Sequence, residues 1–184
     1  LGDVYKRQGL RRDALAAAAE AVLLVERIAT REGIVGTVGA LSVAPGVGNV
    51  IPGGVSFSVD LRAPLAGPRD AAEREFREGL AALCARRGIG HEVKIVQQLA
   101  PCLCDDIAQS LLAESIAAQG GRPFALASGA GHDAMSMAAL CPVAMLFIRC
   151  RDGVSHNPAE HVTPEDVDAA AQVMLDFLER LATR

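Results

Sequence analysis

Three of the four histidines, His132, His156 and His161, fall in two loops of the C-terminal half of a 184-residue chain. Imidazole can serve as acid, base or metal ligand near neutral pH, so this concentration is the strongest chemical signal in the sequence. His156 lies in Gly153-Val-Ser-His-Asn-Pro-Ala-Glu160. As a metal ligand it needs a partner on its other ring nitrogen, and Glu160 or Asp166 is near enough in sequence to be that partner. A loop histidine that caps backbone is the equal alternative. His132 ends the run Ser128-Gly-Ala-Gly-His132, where the missing Cβ atoms let backbone N–H groups approach an oxyanion. The run matches neither a dinucleotide-binding glycine pattern after a strand nor a P-loop with its lysine, which argues against a phosphate cradle.

Arg62 ends an alternating segment on its polar side, and Asn49 lies in the turn region before it. A guanidinium there could clamp a carboxylate through two parallel bonds, with Asn49 sharing the load. The competing reading is a surface salt bridge worth about 0–1 kcal/mol. The five cysteines, at 84, 102, 104, 141 and 150, include no two C-x2-C pairs of the kind that build a zinc ribbon.

These residues need a frame, and the hydrophobic pattern supplies one. Residues 11–31 are Ala-rich with apolar positions three and four apart, predicting an amphipathic helix stopped by Gly33. Residues 34–43 and 55–62 read as strands, the second with Val55, Phe57, Val59 and Leu61 inward. A helix over 68–87 and a strand over 91–97 complete a small α+β layer. Beyond a boundary near 98–103 the pattern becomes α/β. It has a helix over 105–119, a short helix near 135–140, and the run VAMLFI at 143–148, expected to be a strand buried in a parallel sheet. A last helix opens at Thr163-Pro164-Glu165-Asp166.

Composition narrows the function classes. Eighteen basic residues against 22 acidic ones, with 3% aromatics, offer neither a cationic footprint nor a stacking platform for nucleic acid. No uncharged apolar run approaches the roughly 18 residues of a membrane span. With no secretory signal and cysteines sparse and odd in number, a cytoplasmic location is expected. Residues 1–8 hold the only Tyr and one of two Lys, and are expected to be a non-native junction.

Taken together, VGNVIPGGVSFSVDLRAP, SGAGHDAM and GVSHNPAEHVTPEDV resemble, in order and spacing, the second half of the M20 metallo-amidohydrolase superfamily, closest to its carbamoylase branch. The resemblance implies an α/β catalytic domain interrupted by an α+β lid domain that forms a homodimer. Residues 9–98 are then the lid without its first strand, and residues 99–184 the last part of the catalytic domain. It further implies two divalent metal ions (zinc, manganese, cobalt or nickel) and hydrolysis of the ureido bond of an N-carbamoyl amino acid or an allantoate-like acid. His156 would be a metal ligand. Asn49 and Arg62 would hold the substrate carboxylate, and Gly129, Ala130, Gly131 and His132 would line the pocket. The family's upstream His-x-Asp motif and acidic pair have no counterpart before Arg11. The expectation is therefore that no catalytic residue lies within this stretch, which would be inactive alone. The alternatives are an M20 peptidase or aminoacylase, and a non-catalytic dimerisation or ligand-binding remnant.

Overall fold

The computed structural model describes residues 11–184, so the expected junction at 1–8 lies outside the described residues. The chain divides into two compact units after Pro101.

The first unit is built on two antiparallel helices, α1 (Ala14–Ala29) and α2 (Ala66–Arg87). Asp13 starts α1 because its carboxylate accepts from the N–H groups of Leu15 (2.9 Å) and Ala16 (3.0 Å), which lack partners in the helix itself. Arg11 binds the same carboxylate at 2.7 Å. Gly88 ends α2 at φ 64°, a left-handed conformation that costs glycine nothing, and Ile89 N–H then returns to Cys84 C=O at 2.9 Å. Between the helices, Ala17, Ala21, Leu24, Val25 and Ile28 of α1 meet Ala72, Phe76, Leu80, Leu83 and Cys84 of α2 in one buried cluster. At Gly79 an added Cβ would lie 2.6 Å from Leu24 Cδ2. Glu20 spans the helices to Arg86 and Arg87, and Arg31 does so to Glu75.

A twisted ribbon covers this pair. Strands β1 (Val35–Thr37) and β2 (Leu41–Ala44) run into β3 (Gly54–Phe57) and β4 (Asp60–Arg62). β2 pairs antiparallel with β3 from Leu41↔Phe57 to Ala44↔Gly54, and β1 with β4 from Val35↔Arg62 to Thr37↔Asp60. The expected single strands over 34–43 and 55–62 are thus each broken. The two ladders differ in register by one residue, so one strand carries an extra residue at 38–40 opposite 58–59, which is a β-bulge. Ala40 N–H donates to Ser58 Oγ and Ser58 N–H to Ala40 C=O across the break, both at 3.0 Å. The alternation of the second strand holds throughout: Val55, Phe57, Val59 and Leu61 are half-buried and Ser56, Ser58, Asp60 and Arg62 exposed.

The second unit packs α3 (Asp106–Ala118) against α5 (Pro164–Ala182), with a short α4 (Ala134–Met137) and a 3-10 turn (Arg151–Gly153) between them. Asp105 caps α3 through Ala108 N–H at 2.8 Å, and Thr163 caps α5 through Asp166 N–H at 3.1 Å. Leu111, Leu112, Ser115 and Val173 are buried, and Arg180 reaches Glu114 at 3.0 Å.

Two expected strands are corrected. Residues 143–148 and 91–97 form no ladder with any other segment among the described residues. A strand exists only through a neighbour that takes its alternate N–H and C=O groups, and the described part of the second unit contains no other strand to do so. Phe147 and Ile148 are exposed, where the pattern predicts burial.

Two outcomes follow for stability. Gly79→Val should cost about 1–3 kcal/mol in urea unfolding, since the new branches overlap Leu24. At Asp13, burial raises the carboxyl pKa, but the Ala16 N–H bond, Arg11 and the Leu15 N–H bond outweigh it and hold the pKa below the ordinary aspartate value. A depressed carboxyl stabilises the fold above its unfolded pKa and loses that contribution as pH falls through the folded one. Asp13→Ala should therefore cost about 1 kcal/mol at neutral pH, and the gap to wild type should close in acid.

Candidate functional site

Arg62 closes β4 on the exposed face of the ribbon, opposite Val35. It does not stand ready for a ligand carboxylate, because Asp60, two residues back on the same face, already takes it. Nε lies 3.0 and 3.1 Å from the two Asp60 oxygens and Nη2 lies 2.6 Å from one of them. The hydrogen bond and the charge of Asp60 raise the Arg62 pKa further. The Arg62 hydrogen bond, against the opposing effect of burial, holds the Asp60 carboxyl below its usual range. A substrate carboxylate must share this guanidinium with Asp60 or displace it. Both groups are about half exposed, so the pair itself adds little stability. Asn49 is exposed in the connection between β2 and β3, beyond the Ala44–Gly54 pair.

In the second unit, His132 stands at the entrance of α4, where its C=O accepts Met135 N–H at 2.9 Å. Its Nε2 lies 2.6 Å from Ser128 Oγ, and its ring meets Phe147 edge-on with centroids 6.4 Å apart. Ser128 Oγ also accepts from Ala130 N–H at 3.2 Å. That N–H is therefore engaged within the loop. At Gly129 and Gly131 an added Cβ would meet nothing closer than Met135 Sδ, 3.8 Å from Gly131. Neither glycine is required by crowding within the chain.

His156 is exposed in the loop after the 3-10 turn, and Arg151 N–H closes that loop on His161 C=O at 2.9 Å. It holds φ 57°, a region that residues with a Cβ seldom occupy. Glu160 Oε2 accepts the His156 backbone N–H at 2.9 Å, and Ser155 Oγ faces Nδ1 at 2.7 Å. The expectation that Glu160 or Asp166 orients the ring is corrected: Glu160 holds the backbone, and Asp166 is engaged with Thr163 and Arg149. With Nδ1 facing Ser155, Nε2 is the nitrogen left for a ligand. Sequence reasoning names neither Ser128 nor Ser155 as a histidine partner, although a hydroxyl residue one or four positions upstream is the available signal.

A catalytic zinc takes three protein ligands as a rule. Among the described residues, no three His, Cys, Asp or Glu side chains come together in a way that could hold a metal ion. These residues do not by themselves fit a two-ion centre. No helix among them is long and apolar enough to cross a membrane.

Comparison with known proteins gives the frame. The family model described as peptidase family M20/M25/M40 matches residues 8–180. The chain is 40% identical, over 94% of its length, to an N-carbamoyl-L-amino acid amidohydrolase of Geobacillus stearothermophilus, covering 42% of that protein. It is 37% identical to a rice protein named as a probable allantoate deiminase, covering 94% of this chain and 41% of the relative. A solved amidase of the hydantoinase/carbamoylase family from Burkholderia multivorans superposes with a TM-score of 0.88 at 36% identity, over 95% of this chain and 43% of the other. The chain thus spans about two fifths of the length of the relatives it matches.

The backbone at His156 yields a ranking. Glycine accepts φ 57° freely, whereas any residue with a Cβ pays on the order of 1–2 kcal/mol there, a β-branched one the most. Chemical denaturation should therefore rank His156→Gly above wild type and wild type above His156→Val in stability.

Proposed function

The chain belongs to peptidase family M20/M25/M40, and from that membership we infer that it is part of an amidohydrolase cleaving a linear ureido or amide C–N bond. What carries the reading is the 40% identity, along 94% of this chain, to a protein named for its action on N-carbamoyl-L-amino acids. The relative named for allantoate supports the same substrate class, a ureido nitrogen and a carboxylate in one small molecule. Hydrolysis of the carbamoyl group of such an acid releases ammonia and carbon dioxide.

Each residue then has a part. Arg62 grips the substrate carboxylate, assisted by Asn49, and so sets how far the scissile bond lies from the anchoring group. The Gly129-Ala130-Gly131 backbone and His132 form one wall of the substrate pocket. His156 is the ligand this stretch contributes to a divalent metal centre, whose other ligands are not among the described residues. Residues 9–98 act as a lid through which two copies dimerise, and residues 99–184 belong to the catalytic domain, all in the cytoplasm. With one ligand and no catalytic base among the described residues, the 184 residues alone are inactive.

An ammonia assay decides. The 184-residue chain should release none from N-carbamoyl-L-amino acids above the rate with free metal. A protein of the relatives' length that carries these residues should be active. In that protein Arg62→Lys keeps the charge but loses the planar fork, and should lower kcat/KM roughly 10-fold to 150-fold. Unchanged kcat/KM on carboxylate substrates would remove Arg62 from the site.

A further inference from the structure

Ser128 Oγ meets three polar atoms. Ala130 N–H donates to it at 3.2 Å, Ala130 C=O lies 3.2 Å away as an acceptor, and His132 Nε2 lies at 2.6 Å. A hydroxyl has one proton and two acceptor positions. One position takes Ala130 N–H and the proton goes to Ala130 C=O, which leaves one acceptor position facing His132. Only an N–H can fill it, so the arrangement that turns all three contacts into hydrogen bonds is the one with hydrogen on Nε2. The reverse arrangement, with the hydroxyl donating to a bare Nε2, takes the donor away from Ala130 C=O and makes one bond fewer. A neutral imidazole protonated at Nε2 is bare at Nδ1, and Nδ1 makes no hydrogen bond among the described residues. The edge contact with Phe147, at 76° between the ring planes, and the bond from Met135 N–H to His132 C=O hold the ring and its backbone in place.

We propose that Ser128 is a positioning residue that fixes neutral His132 as the Nε2–H tautomer, so that Nδ1 is the acceptor for the terminal NH2 of a carbamoyl or ureido substrate. The choice of ligand rests on the amidohydrolase reading; the tautomer does not. A bare ring nitrogen accepts from an N–H and repels an oxygen lone pair placed at the same point. It therefore selects a primary amide or urea nitrogen over an ester or a carboxylate.

Long-range 1H–15N correlation spectra of the 15N-labelled 184-residue chain test this, with His132→Gln identifying the His132 signals. In the neutral form of the ring the wild type should show a protonated Nε2 and a bare Nδ1. Ser128→Ala should add a visible population of the Nδ1–H form, and Ser128→Thr, which restores the hydroxyl, should return the single tautomer. N-carbamoylglycine should shift the wild-type Nδ1 resonance, and N-acetylglycine, which lacks a terminal NH2, should not. A wild type that is mainly Nδ1–H, or a Ser128→Ala spectrum identical to wild type, overturns the proposal. Equal responses to the two ligands, or none to N-carbamoylglycine, overturn its ligand. If the longer protein released no ammonia while the tautomer pattern held, the amidohydrolase reading would fall and the role of Ser128 would stand.

Discussion

Leu24 of α1 occupies the space that a side chain at position 79 of α2 would need. The rest of the first unit is arranged around that approach. With no Cβ in the way, the two helices come close enough to enclose Val25, Ile28, Phe76 and Leu80, and their joint surface is what the ribbon covers with Phe57, Val59 and Leu61. Alternation along β3 and β4 then sends Asp60 and Arg62 to the opposite, exposed side. The position of Arg62, proposed above to hold a substrate carboxylate, is thus a consequence of helix packing on the far side of the same strand. The flanking ion pairs of Glu20 and Arg31 are exposed or half-exposed and follow this packing rather than cause it.

The second unit solves a different problem. Its candidate residues lie in loops, where no ladder or helix dictates side-chain position, and short-range hydrogen bonds do that work instead. One serine hydroxyl ties Ala130 and His132 together, and one carboxylate, Glu160, holds the backbone of His156.

Much of the helical framework was legible because its signals are local. Asp13, Asp105 and Thr163 cap helices near the expected starts, and Gly88 stops α2 where expected, since caps act within a few residues of themselves. Strands were less legible. VAMLFI has the composition of a buried strand, but strand identity depends on a partner the pattern cannot specify. The candidate residues Arg62, His132 and His156 stand out in the sequence by their types and order. Their immediate partners do not. Asp60 beside Arg62 reads as ordinary alternation, and the hydroxyls of Ser128 and Ser155 read as loop polarity until distances are known.

The bulge at 38–40 carries a consequence for how this sequence can change over generations. On the strand before it, the half-buried positions are Gly36 and Val38, and after it Val43, so the extra residue exchanges odd for even. Loss of one residue there would turn the strand before it over, setting Val35 and Thr37 against the helices and Gly36 and Val38 toward water. The connection from Pro45 to Gly53 is under no such rule, because residues added there leave both ladders in register. Lineages descended from this chain can be expected to vary in length more readily at the hairpin loop, within the limits set by the placement of Asn49, than six residues before it.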